Sequence, residues 1–116
     1  MTEITKDTEL TAELLKELKT QYKKLYKTTL SDDQEFIWHK INRKEYKEIM
    51  KKYDDVEDRE ERLWLREEEA CRIAIVYPCK EIVEEILSDS AGIATIISDE
   101  IYEKSGFRVV EQTEEI

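Results

Sequence analysis

The sequence predicts an all-α fold in the main, a compact bundle of about five helices with one short extended segment near residues 35–41. The chain of 116 residues contains only two glycines and one proline, too few for many tight turns between strands. Charged residues make up 41% of it, which is typical of helices with strongly solvated faces. Apolar residues also recur at spacings of three and four. We expect one helical domain over residues 1–116, with flexible ends at 1–7 and 108–116.

The first predicted helix begins at Asp7 or Thr8 and continues to Tyr26. Its apolar stripe consists of Leu10, Leu14, Leu15, Leu18, Tyr22, Leu25 and Tyr26. Lysines crowd its second half, where cations interact favourably with the helix dipole. A basic amphipathic helix suits a membrane surface or a protein partner, and packing within its own domain stays open as the plainer interpretation.

A short extended segment follows the loop at residues 31–34. The run EFIWHKI is rich in aromatic and β-branched residues, which favour extended backbone. No second run of this kind stands nearby. We therefore expect a connector or at most a small ribbon, and no full sheet.

Three further predicted helices carry most of the core. Asn42 can cap the helix RKEYKEIMKKY. After an acidic break, the next helix runs from about Asp58 to Tyr77, becomes apolar nearly all round from Ala70, and ends because Pro78 disfavours helical geometry before it. A short helix follows in KEIVEEILSDS.

The last predicted helix lies in AGIATIISDEIYEKSGF, and Ser105-Gly106 marks its C-cap. The run IAIVYPCK, residues 73–80, is the most apolar in the chain, and we interpret it as the centre of the core.

The residues that could carry chemistry form no recognisable site. Cys71 and Cys79 lack the paired spacing of a zinc site, and His39 is the only imidazole. Carboxylates at 60, 61 and 67–69 suit a divalent metal, but the arginines between them predict a solvated face with internal ion pairs. We expect no catalytic residues, no metal and no cofactor, and therefore a protein that is not an enzyme.

The charge distribution argues against a nucleic-acid partner. Residues 1–50 carry ten basic and ten acidic side chains, whereas residues 51–116 carry nine and nineteen, which places the whole net charge of −10 there. Phosphate binding needs the opposite sign. We also expect no membrane partner, because no apolar run approaches the roughly 20 residues that a bilayer requires. The first residues lack the pattern of a signal peptide, which favours the cytoplasm.

A family resemblance covers about residues 35–107. Its order is an aromatic extended segment, an RKEYK helix, an acidic spacer, a helix that closes in YP, and a terminal SGF. Its markers are Trp38, Arg43, Tyr46, Tyr77, Pro78, Gly92, Ser105, Gly106 and Phe107. In this order the chain resembles tail assembly chaperones and other small tail-module proteins of large tailed bacteriophages.

The resemblance implies a helical protein that binds the tape-measure protein in the host cytoplasm before the tail tube polymerises. Such a chaperone covers apolar helical stripes of its partner. The candidate partner-binding residues are Leu14, Leu18, Tyr22, Leu25, Tyr26 and Trp64. For the first five residues, packing within the domain or contact in a homo-oligomer remains an alternative. Trp64 either packs beneath the aliphatic parts of neighbouring charged side chains or is exposed to a partner.

Two alternative functions remain at this stage. A structural tail or baseplate component would share these features and stay in the virion. An acidic DNA-mimic inhibitor of a host protein would use the stretch 54–69, although four arginines in and near that stretch oppose it.

Overall fold

The computed structural model describes residues 3–108 and 111–116. Within them the chain forms five α-helices, three β-strands and one π-helical turn. In chain order these are α1 (Ala12–Gln21), β1 (Tyr26–Thr29), β2 (Glu35–Trp38), α2 (Arg43–Lys52), α3 (Arg59–Ala74), β3 (Ile75–Tyr77), α4 (Lys80–Asp89), α5 (Ile93–Tyr102) and the π-helical turn (Glu103–Phe107). The mainly helical fold is confirmed. The expectation of one isolated extended segment is wrong, because a sheet forms.

The sheet has the order β1-β2-β3, and both pairings are antiparallel. β1 and β2 form a hairpin in which Tyr26 pairs with Trp38 and Thr29 pairs with Glu35. The Leu30 amide donates to the Gln34 carbonyl at 2.8 Å and closes the loop. The first predicted helix therefore ends at Gln21, and its last predicted residue, Tyr26, belongs to a strand instead.

The third strand replaces the predicted end of the long helix. α3 ends at Ala74, and Ile75–Tyr77 turns into the sheet. Ile37 pairs with Tyr77 and Trp38 pairs with Ile75, so Val76 is an extra residue on β3 at a bulge. Our expectation of a helix through Tyr77 is wrong because pairing with β2 overrides the helical pattern.

The helix starts follow local side-chain chemistry. Asn42 and Glu45 form the full capping box at the start of α2. Asp58 accepts hydrogen bonds from the Glu60 and Glu61 amides at the start of α3. The predicted Asn42 cap is confirmed, and the predicted start of the long helix at about Asp58 agrees with the Asp58 cap. The cap of α1 is Thr11, which accepts from the Leu14 amide at 3.1 Å, and not Asp7 or Thr8.

Two apolar cores lie on opposite faces of the sheet. The inner core joins the sheet to α2–α5 and has eleven buried residues, among them Phe36, Trp38, Ile49 and Ile97. The outer core joins the sheet to α1 and has three, namely Leu14, Leu18 and Ile37. The molecule is thus layered, with α1 outside, the sheet in the middle and four helices inside.

The two ends of the chain differ in their contacts. Ile4 and Leu10 precede α1 and pack against the outer core, while residues 111–116 are exposed and form no helix or strand. The expectation of flexibility at 1, 2, 109 and 110 lies outside the described residues. Gly106 lies in the π-helical turn that follows α5 and adopts a φ of 103°, a left-handed conformation that suits glycine, so the helical geometry breaks at the predicted Ser105-Gly106 pair. No helix in the described ranges is long and apolar enough to cross a membrane.

Candidate protein-binding site

A cavity of about 830 Å³ opens beside β3, and we call it the edge cavity. Its outer wall includes four residues of the outer layer: Ile4, Leu18, Tyr22 and Val76. Its inner wall includes three residues of the inner core: Cys71, Ile75 and Val83. The edge cavity therefore lies between the two apolar layers, at the side of the sheet.

Charged groups surround the mouth of the edge cavity in equal numbers. Lys52, Arg72 and Lys80 face Glu69, Glu81 and Glu84 among its lining residues. Because the two signs balance, the mouth presents no net charge to an incoming ligand.

Arg72 is the centre of an ion-pair network at this mouth. Its Nε donates to Glu84 Oε1 at 2.5 Å, and its two Nη atoms contact Glu69 at 3.3 Å and Glu68 at 3.2 Å. The hydrogen bond with Glu84 is the largest cause that raises the pKa of Arg72. The predicted ion pairs within α3 are confirmed for Arg72 with Glu68 and Glu69, and the contact with Glu84 ties α3 to α4.

Glu69 connects the same network to the end of α2. Its carboxylate accepts hydrogen bonds from Lys52 Nζ and from the Tyr53 hydroxyl, each at 3.0 Å. Burial alone would raise the pKa of Glu69, but the hydrogen bonds from Lys52, Tyr53 and Arg72 lower it overall. Burial and the bond to Glu69 raise the pKa of Tyr53. These carboxylate oxygens are thus occupied by protein donors.

Four of the candidate partner-binding residues belong to the outer core. Leu14 and Leu18 are 6% and 5% exposed and pack near Ile37. Tyr22 and Leu25 are partly buried against the same cluster. Leu18 and Tyr22 also line the edge cavity, so part of the predicted stripe reaches the candidate site while it packs within its own domain.

The other two candidates lie elsewhere. Tyr26 stacks on Trp38, with ring centroids 4.7 Å apart, and packs against the inner core. Trp64 lies on the first half of α3, is 53% exposed and does not line the edge cavity. The structure therefore does not bring the six candidates together on one surface.

Both cysteines are free and buried. Burial is the main cause that raises the pKa of Cys71 to about 12, so its thiol stays protonated at neutral pH. The Cys71 sulfur lies 3.7 Å from the Ala94 carbonyl oxygen, deep between α3 and α5. Cys71 therefore behaves as a small apolar core residue.

His39 and the acidic stretch have structural partners. The His39 ring stacks on Tyr22 at 5.0 Å, and its Nδ1 lies 2.8 Å from the Lys40 carbonyl oxygen. Arg66 contacts Asp54 and the Met50 carbonyl, and Arg62 donates to the Val56 carbonyl. Among the described residues, no group of three or more His, Cys, Asp or Glu is placed to hold a metal ion.

Several residues of the edge cavity were not predicted from the sequence to belong to a binding site. Ile4 falls in a segment predicted to be flexible, and Val76 falls in a predicted helix. The β-branched pair Ile75-Val76 is the signal that could have indicated a strand, although a short apolar run does not distinguish a buried strand from a buried helix.

Comparison of the chain with protein-family models, curated proteins and solved structures finds no match.

Proposed function

We propose that this chain is a non-enzymatic protein of the tail-assembly-chaperone type, which binds an apolar segment of the tape-measure protein at the edge cavity. The observation that carries the proposal is the position of this cavity between two apolar layers. Its lining combines apolar residues of both layers with equal numbers of acidic and basic side chains, and its volume is within the range of roughly 300–1,000 Å³ that is usual for binding pockets.

The outer layer is suited to open around a partner. Three buried residues hold α1 to the sheet, whereas eleven build the inner core. Apolar burial contributes in proportion to the area removed from water, so α1 separates from the sheet at a lower free-energy cost than the inner helices do. The predicted partner-binding role of the α1 stripe is compatible with this arrangement.

The charge of the remaining surface supports the same function. The net charge of −10 lies in residues 51–116 and keeps the protein and its complexes soluble. A chaperone in the cytoplasm of an infected cell needs this property, because an unassembled tape-measure protein exposes long apolar stripes that aggregate.

Co-expression with the tape-measure protein tests the proposal. Gln21 is exposed and lines the edge cavity, so Gln21→Trp partly fills it without disturbing either core. Lys16→Trp is the matched control, since Lys16 is an exposed residue of the same helix outside the cavity. We expect the tape-measure protein to remain soluble and to copurify with the wild type and with Lys16→Trp, and to do neither with Gln21→Trp.

Two results would overturn the proposal. Copurification that survives Gln21→Trp but disappears in Trp64→Ala would place the partner on α3 instead. Presence of the chain at fixed stoichiometry in purified virions, measured by mass spectrometry, would favour a structural tail component over a chaperone.

A further inference from the structure

We infer that residues 3–10 form a strap that closes the edge cavity and must leave before a ligand can enter. The inference rests on the proposed function in taking the edge cavity as the binding site, and it adds the step that controls access to that site. Because the step is a conformational change of the chain itself, it can be measured without the ligand.

The strap connects two helices that line the edge cavity. Leu18 of α1 belongs to the outer wall of the cavity, and Val83 and Glu84 of α4 line it from the inner side. The strap precedes α1 in the chain, and its Lys6 Nζ lies 3.4 Å from Glu85 Oε1 on α4. The path of the strap therefore leads from the helix of one wall to the helix of the other.

Ile4 is the strap residue that lines the edge cavity. Its side chain is partly buried against the outer core, to which the lining residues Leu18, Tyr22 and Val76 also belong. An apolar side chain in this position occupies a place that an apolar group of a partner would otherwise fill. The strap thus competes with the partner for the outer wall, and release of Ile4 enlarges the site.

Few interactions hold the strap to the rest of the molecule. The Thr8 amide donates to the Thr5 carbonyl at 3.1 Å within the strap, and no backbone hydrogen bond joins the strap to another part of the described chain. Ile4 and Leu10 pack against the outer core, but neither is fully buried. A segment with few buried apolar contacts and no backbone hydrogen bonds to its surroundings opens at a low free-energy cost. The strap can therefore open while α1 stays on the sheet.

The ion pair between Lys6 and Glu85 is an attachment that can be changed without altering the cavity. Both side chains are more than half exposed, and pairs of this kind contribute little because water screens them. Neither residue lines the edge cavity. Reversal of the charge at position 6 should therefore shift the strap toward the open state, and reversal at both positions should restore the closed state.

Labelling of Cys79 provides the first test. Cys79 lines the edge cavity and is only 7% exposed, so its thiol should react readily with a disulfide reagent only when the cavity opens. In a Cys71→Ala background, where Cys79 is the only thiol, we expect Lys6→Glu to raise the labelling rate about two- to fivefold. Lys6→Glu combined with Glu85→Lys should return the rate to that of the background. Lys16→Glu makes the same charge change on α1 outside the cavity and should leave the rate unchanged.

A covalent lock tests whether the strap must leave. In a chain with Cys71→Ala and Cys79→Ala, the substitutions Lys6→Cys and Glu85→Cys allow a bismaleimide with a disulfide in its spacer to join the strap to α4, because the native side chains meet there. We expect the locked chain to lose the tape-measure protein in a pull-down. Reduction of the spacer should restore capture to the level of the same chain before cross-linking.

Each outcome decides the inference. A labelling rate that rises with Lys6→Glu and returns to the background value with the double charge reversal supports the strap. A rate that Lys6→Glu leaves unchanged, or that follows the free energy of unfolding across the variants, would overturn it. If the locked chain still captures the tape-measure protein, the inference fails and the proposed function stands. If the chain does not capture that protein even before cross-linking, the proposed function fails, and the labelling rates alone decide whether the strap controls access.

Discussion

Ile37 and Trp38 are neighbours in β2, yet each is buried in a different core. Trp38 is 2% exposed and faces α2–α5, while Ile37 is 1% exposed and faces α1. The Trp38 Nε1–H also donates to Thr28 Oγ1 at 2.9 Å, which fixes the indole against β1. This one dipeptide joins the two apolar layers of the molecule.

The two cores should differ in their effect on stability. We expect Ile97→Ala to lower the free energy of unfolding by about 4 kcal/mol and Leu18→Ala by about 2 kcal/mol, because Leu18 already borders a cavity. Urea unfolding measures both, and Lys16→Ala should stay within about 0.5 kcal/mol of the wild type. A cost for Leu18→Ala that equals the cost for Ile97→Ala would contradict a weakly held outer layer.

The capping box of α2 should contribute measurably to the free energy of unfolding. Asn42 Oδ1 accepts from the Glu45 amide at 2.8 Å, and Glu45 accepts from the Asn42 amide at 2.9 Å. We expect Asn42→Ala to lower the free energy of unfolding by about 1 kcal/mol, and Asn42→Asp to cost only a few tenths because it keeps the acceptor. Equal losses in the two variants would indicate that the cap is not the cause.

Acid should weaken the network around Glu69. Its pKa in the folded protein lies below the ordinary value of 4.5, so its contribution to stability is fully present above that value and disappears as the pH falls through the folded pKa. The stability of the wild type should therefore fall more steeply than that of Glu69→Gln between about pH 5 and about pH 3. Urea unfolding across this range measures the difference. Equal slopes in the wild type and in Glu69→Gln would contradict this role of Glu69.

The Cys71 thiol should resist modification in the folded protein. Burial raises its pKa to about 12, and the thiolate is the reactive form. In a Cys79→Ser variant, which leaves Cys71 as the only thiol, we expect no reaction with a disulfide reagent at about pH 8 until denaturant is added. Rapid labelling of the folded variant would contradict the burial of Cys71, which is 0% exposed although it borders the edge cavity.

Local sequence signals predicted the helices well and the sheet poorly. Asn42, Asp58 and Gly106 act through neighbours in the chain, so their roles could be predicted from spacing alone. β1 and β3 depend on pairing with β2, which is a property of distant contacts. Three of the four residues of YKTT favour strands, but the run follows the helical stripe of α1 directly, and IVY continues an apolar helix without a break.

The candidate site was only partly predictable for the same reason. Leu18 and Tyr22 were recognised from the stripe of α1, because a helical period marks the buried face. Val76 was not recognised as a site residue, since its place at a sheet edge depends on where β2 lies. Trp64 was singled out for its unusual surroundings, and the structure leaves it half exposed and apart from the cavity.

Amide hydrogen exchange of the complex with the tape-measure protein tests the central claim most directly. If the partner occupies the edge cavity, amides of Ile75–Tyr77 should exchange more slowly in the complex than in the free protein, while those around Leu63 and Trp64 should not change. Slower exchange confined to the first half of α3, with β3 unchanged, would contradict it.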